Sequence, residues 1–241
     1  MPEDRSGWTT SADAWIARMD TFDFARQVLL DGPMVRMCGE VDGRRVLDIG
    51  CGEGRFCRML SALGAQTVGL DPTAQLLETA AGRDPGGEYL PGNAESLPFE
   101  DGSFDVVVFY LTLIDIPDFR KAIFEASRVL KPGGRMVIGN LACHASTSPT
   151  GWVRDAGGGK LYFPIDRYMD ELEMEVAWAG ICVINYHRPL SAYMEAFLSA
   201  GLALREYLEP VPTAEQIQEN PDLEYERRVP YVVGMLWEKQ A

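Results

Sequence analysis

Val46-Leu47-Asp48-Ile49-Gly50-Cys51-Gly52-Glu53-Gly54 narrows the folds open to this chain more than any other stretch. A short apolar run carries Asp48 near its end, and glycines come after it at alternate positions. Phe56, Met59, Leu60 and Leu63 then recur at helical spacing. Glycines without a Cβ let the backbone turn sharply and approach a ligand closely. Strand, glycine turn and helix in series form the first turn of a doubly wound nucleotide-binding sheet.

The chain downstream keeps to that plan. Residues 44–140 alternate short apolar runs with helical patterns, as a parallel sheet requires. Strands are expected at Arg45–Ile49, Thr67–Leu70, Tyr89–Gly92, Phe104–Leu111 and Arg135–Asn140. Val106-Val107-Val108-Phe109 is apolar throughout, which suits a strand covered on both faces. Phe119, Ala122, Ile123, Ala126, Val129 and Leu130 make one stripe on a helix capped by Asp118, and Lys131-Pro132-Gly133-Gly134 is expected to stop it.

The flanks depart from the alternation. Residues 1–40 read as two short helices broken near Asp31-Gly32-Pro33, either padding the sheet or forming a lid. Residues 141–187 read as an inserted cap of two hairpins, one around Asp155-Ala156-Gly157-Gly158-Gly159 and one across Ala179-Gly180. Residues 188–241 return to the sheet with a helix at Ser191–Ala200 and strands at Ala203–Leu208 and Tyr231–Trp237, around a loop at 209–229. The domain reading is therefore lid 1–40, core 41–140, cap 141–187 and closing part 188–241.

Composition removes several function classes. A formal charge of −14 over 241 residues, with no basic run, argues against nucleic acid or an anionic membrane as partner. Five scattered cysteines form neither a disulfide framework nor a zinc pattern, and two histidines argue against a metal site. The acidic start lacks the order of a signal peptide, and no apolar run approaches a membrane span. A reduced, cytoplasmic, soluble protein is expected.

The nucleotide is narrowed by spacing and by one carboxylate. Gly50-x-Gly52-x-Gly54 is not the dinucleotide fingerprint Gly-x-Gly-x-x-Gly. Asp48 stands where a pyrophosphate would approach, and that repulsion costs about 1–4 kcal/mol at surface-like dielectric. The same carboxylate suits a phosphate-free nucleoside carrying an ammonium group, such as S-adenosylmethionine. Asp71, ending strand two, is placed to accept from both ribose hydroxyls; its alternative is a helix cap in the Asp71-Pro72-Thr73 turn.

These residues, with Gly69-Leu70-Asp71-Pro72, Gly92-Asn93-Ala94-Glu95-Ser96-Leu97-Pro98-Phe99, Asp101-Gly102-Ser103-Phe104-Asp105 and Arg128-Val129-Leu130-Lys131-Pro132-Gly133-Gly134, resemble the successive motifs of class I S-adenosylmethionine-dependent methyltransferases. The branch most similar is that of the ubiquinone/menaquinone-biosynthesis enzymes. Tyr186-His187-Arg188-Pro189-Leu190-Ser191 and Glu209-Pro210 also resemble a branch of small-molecule methyltransferases. The resemblance implies an α/β fold: a doubly wound, Rossmann-like, seven-stranded sheet, mostly parallel with the last strand reversed. It implies that Asp48, Gly50, Cys51, Gly52 and Gly54 hold the methionyl part, that Asp71 and Pro72 serve the ribose, and that Asn93, Ala94 and Glu95 serve the adenine. Position 93 is usually Asp in the family, and Asn93 still offers an amide oxygen. Tyr110 is expected near the transferring methyl group.

The acceptor is less legible. A hydroxyl or acidic N–H acceptor benefits from a general base, for which His187, His144 and Asp115 are candidates. Trp8, Trp15, Trp152, Tyr162 and Phe163 are candidate walls for a planar or aromatic small molecule. The expected function is methyl transfer to oxygen or nitrogen of a small metabolite, with S-adenosylhomocysteine as coproduct. Carbon methylation, or cofactor binding without transfer, are the alternatives.

Overall fold

The computed structural model describes residues 5–147 and 151–240. In chain order these form α1 (Trp8–Met19), a π-helical turn (Ala25–Leu30), α2 (Asp31–Cys38), β1 (Arg45–Ile49), α3 (Arg55–Ser61), β2 (Gln66–Asp71), α4 (Ala74–Arg83), β3 (Glu88–Pro91) and β4 (Phe104–Tyr110). Then come α5 (Phe119–Val129), β5 (Leu130–Leu141), a 3-10 turn (Cys143–Ser146), β6 (Val153–Arg154), β7 (Lys160–Tyr162), β8 (Leu172–Trp178) and β9 (Ile181–His187). The chain closes with α6 (Leu190–Ser199), β10 (Leu202–Leu208), α7 (Ala214–Glu219), a 3-10 segment (Pro221–Arg227) and β11 (Val232–Lys239).

The seven-stranded sheet runs β10-β11-β5-β4-β1-β2-β3. Its β1, β2, β3, β4 and β5 pair in parallel, and β11 lies antiparallel to both β5 and β10. Alternate residues of β4 feed two apolar layers. Val107 and Phe109 pack with Ile123 and Ala126 of α5 and Phe197 of α6. Val106, Val108 and Tyr110 pack with Met34 and Met37 of α2 and Phe56 of α3. With helices on both faces, the parallel strands present their carboxyl ends to one open crevice, and chain reversal between β1 and β4 leaves room there for a ligand.

Three local expectations are corrected. The N-terminal helices do not break at Asp31-Gly32-Pro33; the π turn runs directly into α2, whose first turn tolerates Pro33. The interruption falls at residues 20–23, where Asp23 Oδ1 accepts the Arg26 backbone N–H at 2.9 Å. Lys131-Pro132-Gly133-Gly134 lies inside β5 as a register shift, since Leu130 pairs with Phe104 and Arg135 with Val106. The 209–229 loop contains α7, started by a capping box between Thr213 and Gln216, and the 3-10 segment after it. Both hairpins are present, β6 with β7 and β8 with β9, each a separate two-stranded sheet.

Candidate active site

The carboxyl ends of β1, β2 and β4 open into a cavity of about 550 Å3. The loop after β1 is pinned from behind, because the N–H groups of Gly50 and Cys51 both donate to the Leu70 carbonyl, at 2.7 and 3.1 Å. At Gly50, φ is +73°, and a Cβ would lie 2.2 Å from Thr112 Cγ2. Only glycine fits that position. Asp71 holds the loop from the side: its Oδ2 accepts from Gly52 N at 3.0 Å and its Oδ1 from Thr73 N at 2.8 Å. Asp71 is not the cap of α4, whose N-cap is Thr73; its bond to Thr73 N closes the turn before the helix, while the same carboxylate lines the cavity.

Asp48 lies beneath the loop and is 2% exposed. Its Oδ2 takes a weak S–H contact from Cys57 at 3.6 Å, and its Oδ1 has no hydrogen-bond partner among the described residues. Burial pushes its pKa up to about 7, against the pull of Cys57 and with a further push from Asp71. On the far wall, Asn93, Ala94 and Glu95 enter through the turn after β3, where Ser96 N donates to Asn93 O at 3.2 Å.

The third wall is aromatic and ionic. Trp8 and Trp15 of α1 meet edge to face at 5.3 Å, and both line the cavity. The Arg26 guanidinium stacks 4.6 Å from the Trp15 ring and 5.7 Å from Tyr110. The Tyr110 hydroxyl donates to Asp31 Oδ1 at 2.7 Å, and Arg55 pairs with the same carboxylate. Burial and Asp31 hold the Tyr110 hydroxyl well above its usual pKa, so it stays protonated. Asp115 enters from the turn after β4. Its Oδ1 accepts from Asn185 Nδ2 at 2.6 Å. Burial chiefly pushes the Asp115 pKa up to about 8, offset by Trp8 and by Arg26.

The cavity thus gathers Asp48, Gly50, Cys51, Gly52, Asp71, Pro72, Asn93, Ala94, Glu95, Tyr110, Asp115, Trp8 and Trp15. The remaining expected residues stand outside its lining. Gly54 is the N-cap position of α3, where a Cβ would meet Tyr89 and Ala80. His187 is fully buried, with Nδ1 2.7 Å from Ser146 Oγ and Nε2 2.9 Å from the Tyr168 carbonyl. Neither ring nitrogen is left for an acceptor, which corrects its reading as a base. His144 Nε2 is bound to the Pro230 carbonyl at 2.7 Å, and its ring contacts Phe163. Trp152 and Phe163 pack on each other, Trp152 also against Tyr225, and Tyr162 is exposed. These aromatics bind the insertion to the 3-10 segment instead of walling the cavity.

Sequence reasoning missed Arg26, Thr73, Thr112 and Arg55, which line the cavity, and Asn185. Their only sequence signal is position, at the ends of elements already placed. Among the described residues no group of three or more His, Cys, Asp or Glu is placed to hold a metal, and no helix is long and apolar enough to cross a membrane.

Comparison with known proteins bears on this geometry directly. Residues 47–138 match the methyltransferase domain family. A demethylmenaquinone methyltransferase of Clavibacter sepedonicus is 39% identical over 122 residues, covering 49% of this chain and 48% of that protein. A malonyl-[acyl-carrier protein] O-methyltransferase of Erwinia billingiae is 36% identical over 115 residues, covering 44% of this chain and 46% of that one. The chain thus spans about half the length of these curated relatives. A crystal structure of an S-adenosylmethionine-dependent methyltransferase from Mesorhizobium loti superposes with a TM-score of 0.79 at 29% identity, covering 89% of this chain and 98% of that one.

Sheet order, glycine loop and these likenesses are those of class I S-adenosylmethionine-dependent methyltransferases, which the chain resembles, with the methyltransferase domain match confined to residues 47–138. Within it, the chain resembles the menaquinone-biosynthesis enzymes over its core. Its cofactor is S-adenosylmethionine. The cavity fits this group chemically. The unpartnered Oδ1 of Asp48 is an acceptor in need of a donor, which an ammonium supplies. The volume lies within the ~300–1,000 Å3 usual for a small-molecule site.

Proposed function

We propose that this protein transfers a methyl group to an oxygen or nitrogen of a small, planar, hydroxylated or N–H-bearing metabolite, with Asp115 as the general base. When bound, S-adenosylmethionine supplies an electrophilic methyl group on sulfur, and the hard chemistry is the cofactor's. In this reading Asp48 faces the ammonium, Arg26 the carboxylate, Asp71 the ribose hydroxyls, and Asn93 with Ala94 the adenine edge. Trp8, Trp15, Phe56 and Tyr110 form the wall against which a planar acceptor packs.

One observation carries the reading: Asp115 shares a cavity with the glycine loop and has its pKa pushed up to about 8. A carboxylate poised near neutral pH accepts a proton more readily than one at its ordinary value. Arg26 and a cationic cofactor both favour its ionised form, so binding prepares the base. α1 and the π turn, which supply Trp8, Trp15 and Arg26 to the cavity wall, keep water from the reacting atoms. A second reading, transfer to a ring carbon of a quinone-like acceptor, is favoured by the 39% identical relative named as a demethylmenaquinone methyltransferase. The same base would serve it, by removing the ring proton after attack.

The test is label transfer from methyl-labelled S-adenosylmethionine to a panel of hydroxylated aromatics, aromatic amines and demethylated quinones. Transfer that is lost in Asp115→Asn, with cofactor binding kept, is the expected result. Tight binding of S-adenosylhomocysteine with no transfer to any acceptor in the panel or in a cell extract would leave a binding protein without transferase activity.

A further inference from the structure

Four consecutive residues at the end of β9 each hold a different part of the structure, and three of them converge on the turn after β4. Asn185 Nδ2 donates to Asp115 Oδ1 at 2.6 Å. The Tyr186 backbone N–H donates to the Ile114 carbonyl at 2.7 Å. Arg188 donates through Nη1 to the Leu113 carbonyl at 2.8 Å and through Nη2 to the Pro117 carbonyl at 2.9 Å and to the Ile116 carbonyl. His187, between them, ties the strand to Ser146 and Tyr168.

Arg188 is unusual among the arginines of this chain. It is 3% exposed and makes no ion pair among the described residues; its guanidinium lies between the rings of Phe119 and Tyr186, at 4.3 and 4.8 Å. Burying a guanidinium without a counter-ion is costly, and here backbone carbonyls are its main compensation. Those carbonyls belong to a turn that stores strain at its start, since Leu111 has φ +57° without being glycine. Such strain persists only where neighbours over-determine the backbone. The turn is also the one that presents Thr112, Asp115 and Pro117 to the cavity.

We propose that Asn185 and Arg188 are positioning residues for the acceptor side of the site. Arg188 fixes the backbone of residues 113–117 from behind. Asn185 occupies one oxygen of Asp115 and aims the other at the acceptor's proton. This gives the Tyr186-His187-Arg188 motif a purpose that the cofactor site does not explain. The proposal rests on reading Asp115 as the base, but its structural half stands or falls separately.

The test uses the full chain with Arg188→Lys and Asn185→Ala, each checked for folding by thermal melt. Lysine keeps the charge but cannot span three carbonyls in a plane. Amide exchange over residues 111–118 is expected to rise about tenfold in Arg188→Lys, with β1 and β4 still protected. In Asn185→Ala, the carboxyl titration of Asp115 by carbon-13 NMR is expected to move up by about half a pH unit or more, with Trp8, Arg26 and Asp71 still facing the group. S-adenosylhomocysteine affinity by calorimetry is expected to stay within about twofold, since neither side chain touches the cavity's cofactor end. Unchanged exchange in folded Arg188→Lys, or an unmoved midpoint in Asn185→Ala, overturns the proposal. If Arg188→Lys does not fold, the Asn185→Ala titration decides. If Asp115→Asn retains transfer while these two shifts appear, the base assignment fails and the positioning of the turn stands.

Discussion

The Gly52 N–H donates to Asp71 Oδ2 at 3.0 Å, so the carboxylate ending β2 holds the tip of the glycine loop after β1. Asp71 is thereby both a wall of the cavity and a fastener of the loop beside it. Asp71→Ala removes both functions and leaves two backbone N–H groups without their acceptor. S-adenosylhomocysteine binding is expected to weaken by about 1–3 kcal/mol, read by calorimetry. Asp71→Asn keeps one amide oxygen as acceptor and should lose less. An unchanged affinity in Asp71→Ala would remove the residue from the site.

The buried carboxylates make both stability and cofactor binding depend on pH, in opposite senses. Asp48 has its pKa pushed up to about 7, by burial first, while the unfolded chain titrates it near ~3.9. Between those values the folded protein keeps a proton that the unfolded chain gives up, so this group lowers stability as pH rises from about 4 to 7 and changes nothing further above. An ammonium opposite Asp48 favours the ionised form, so binding expels that proton. Affinity for S-adenosylhomocysteine is expected to rise with pH up to about 7 and to level off above it, by at most about tenfold per unit for one proton. Calorimetry in buffers of different ionisation enthalpy measures the released proton, and Asp48→Asn should lose that part of the slope. A flat profile in the unmodified protein would contradict the link between Asp48 and the ammonium.

Arg83 joins the end of α1 to the glycine loop. Its Nη1 meets Glu53 Oε2 at 2.7 Å, and its Nη2 meets Asp20, just past α1, at 2.8 Å. Asp20 is largely exposed and Glu53 keeps Arg58 as a second partner, so the bond to the end of α1 is weak. Arg83→Ala is expected to cost about 0.5–1 kcal/mol in S-adenosylhomocysteine affinity, mostly as faster release. Stopped-flow fluorescence of Trp8 and Trp15 gives the rate; a release rate equal to that of the unmodified protein would mean that α1 is not held by this bridge.

The sheet was legible because its signals are local. An apolar run, a glycine turn and a helical stripe each lie within a few residues, and seven strands and the cofactor loop come from them. Of the rest of the cavity, only what reuses that framework was legible: Asp115 and Tyr110 stand at or after β4, and a strand end faces the crevice in any doubly wound sheet. Elsewhere local reasoning had nothing to act on. Arg26 reads as an ordinary helix arginine until the π turn carries it over Trp15. Trp152 and Phe163 read as ligand-facing aromatics because nothing in the hairpin sequence reveals Tyr225, which the chain returns some seventy residues later through the 3-10 segment. In each case the deciding partner is remote in sequence, and apolar or polar character alone does not say which partner arrives.

His187 is where this matters for chemistry. Read in sequence it is a rare histidine near a cap strand and suits a base, but Ser146 lies 41 residues away and Tyr168 19, and both reach its ring. A residue so enclosed acts on stability. His187→Ala removes a ring from a fully buried position and takes a partner from the Tyr168 carbonyl, while the Ser146 hydroxyl keeps its bond to the Cys143 carbonyl. The expected loss is about 2–4 kcal/mol, combining a cavity with an unsatisfied polar group. Thermal and urea melts give that value. Turnover per folded molecule, scored once an acceptor is identified, should stay near that of the unmodified protein when measured well below the melting temperature. A variant that melts normally but has lost transfer with cofactor affinity intact would return His187 to the chemistry and displace Asp115 from it.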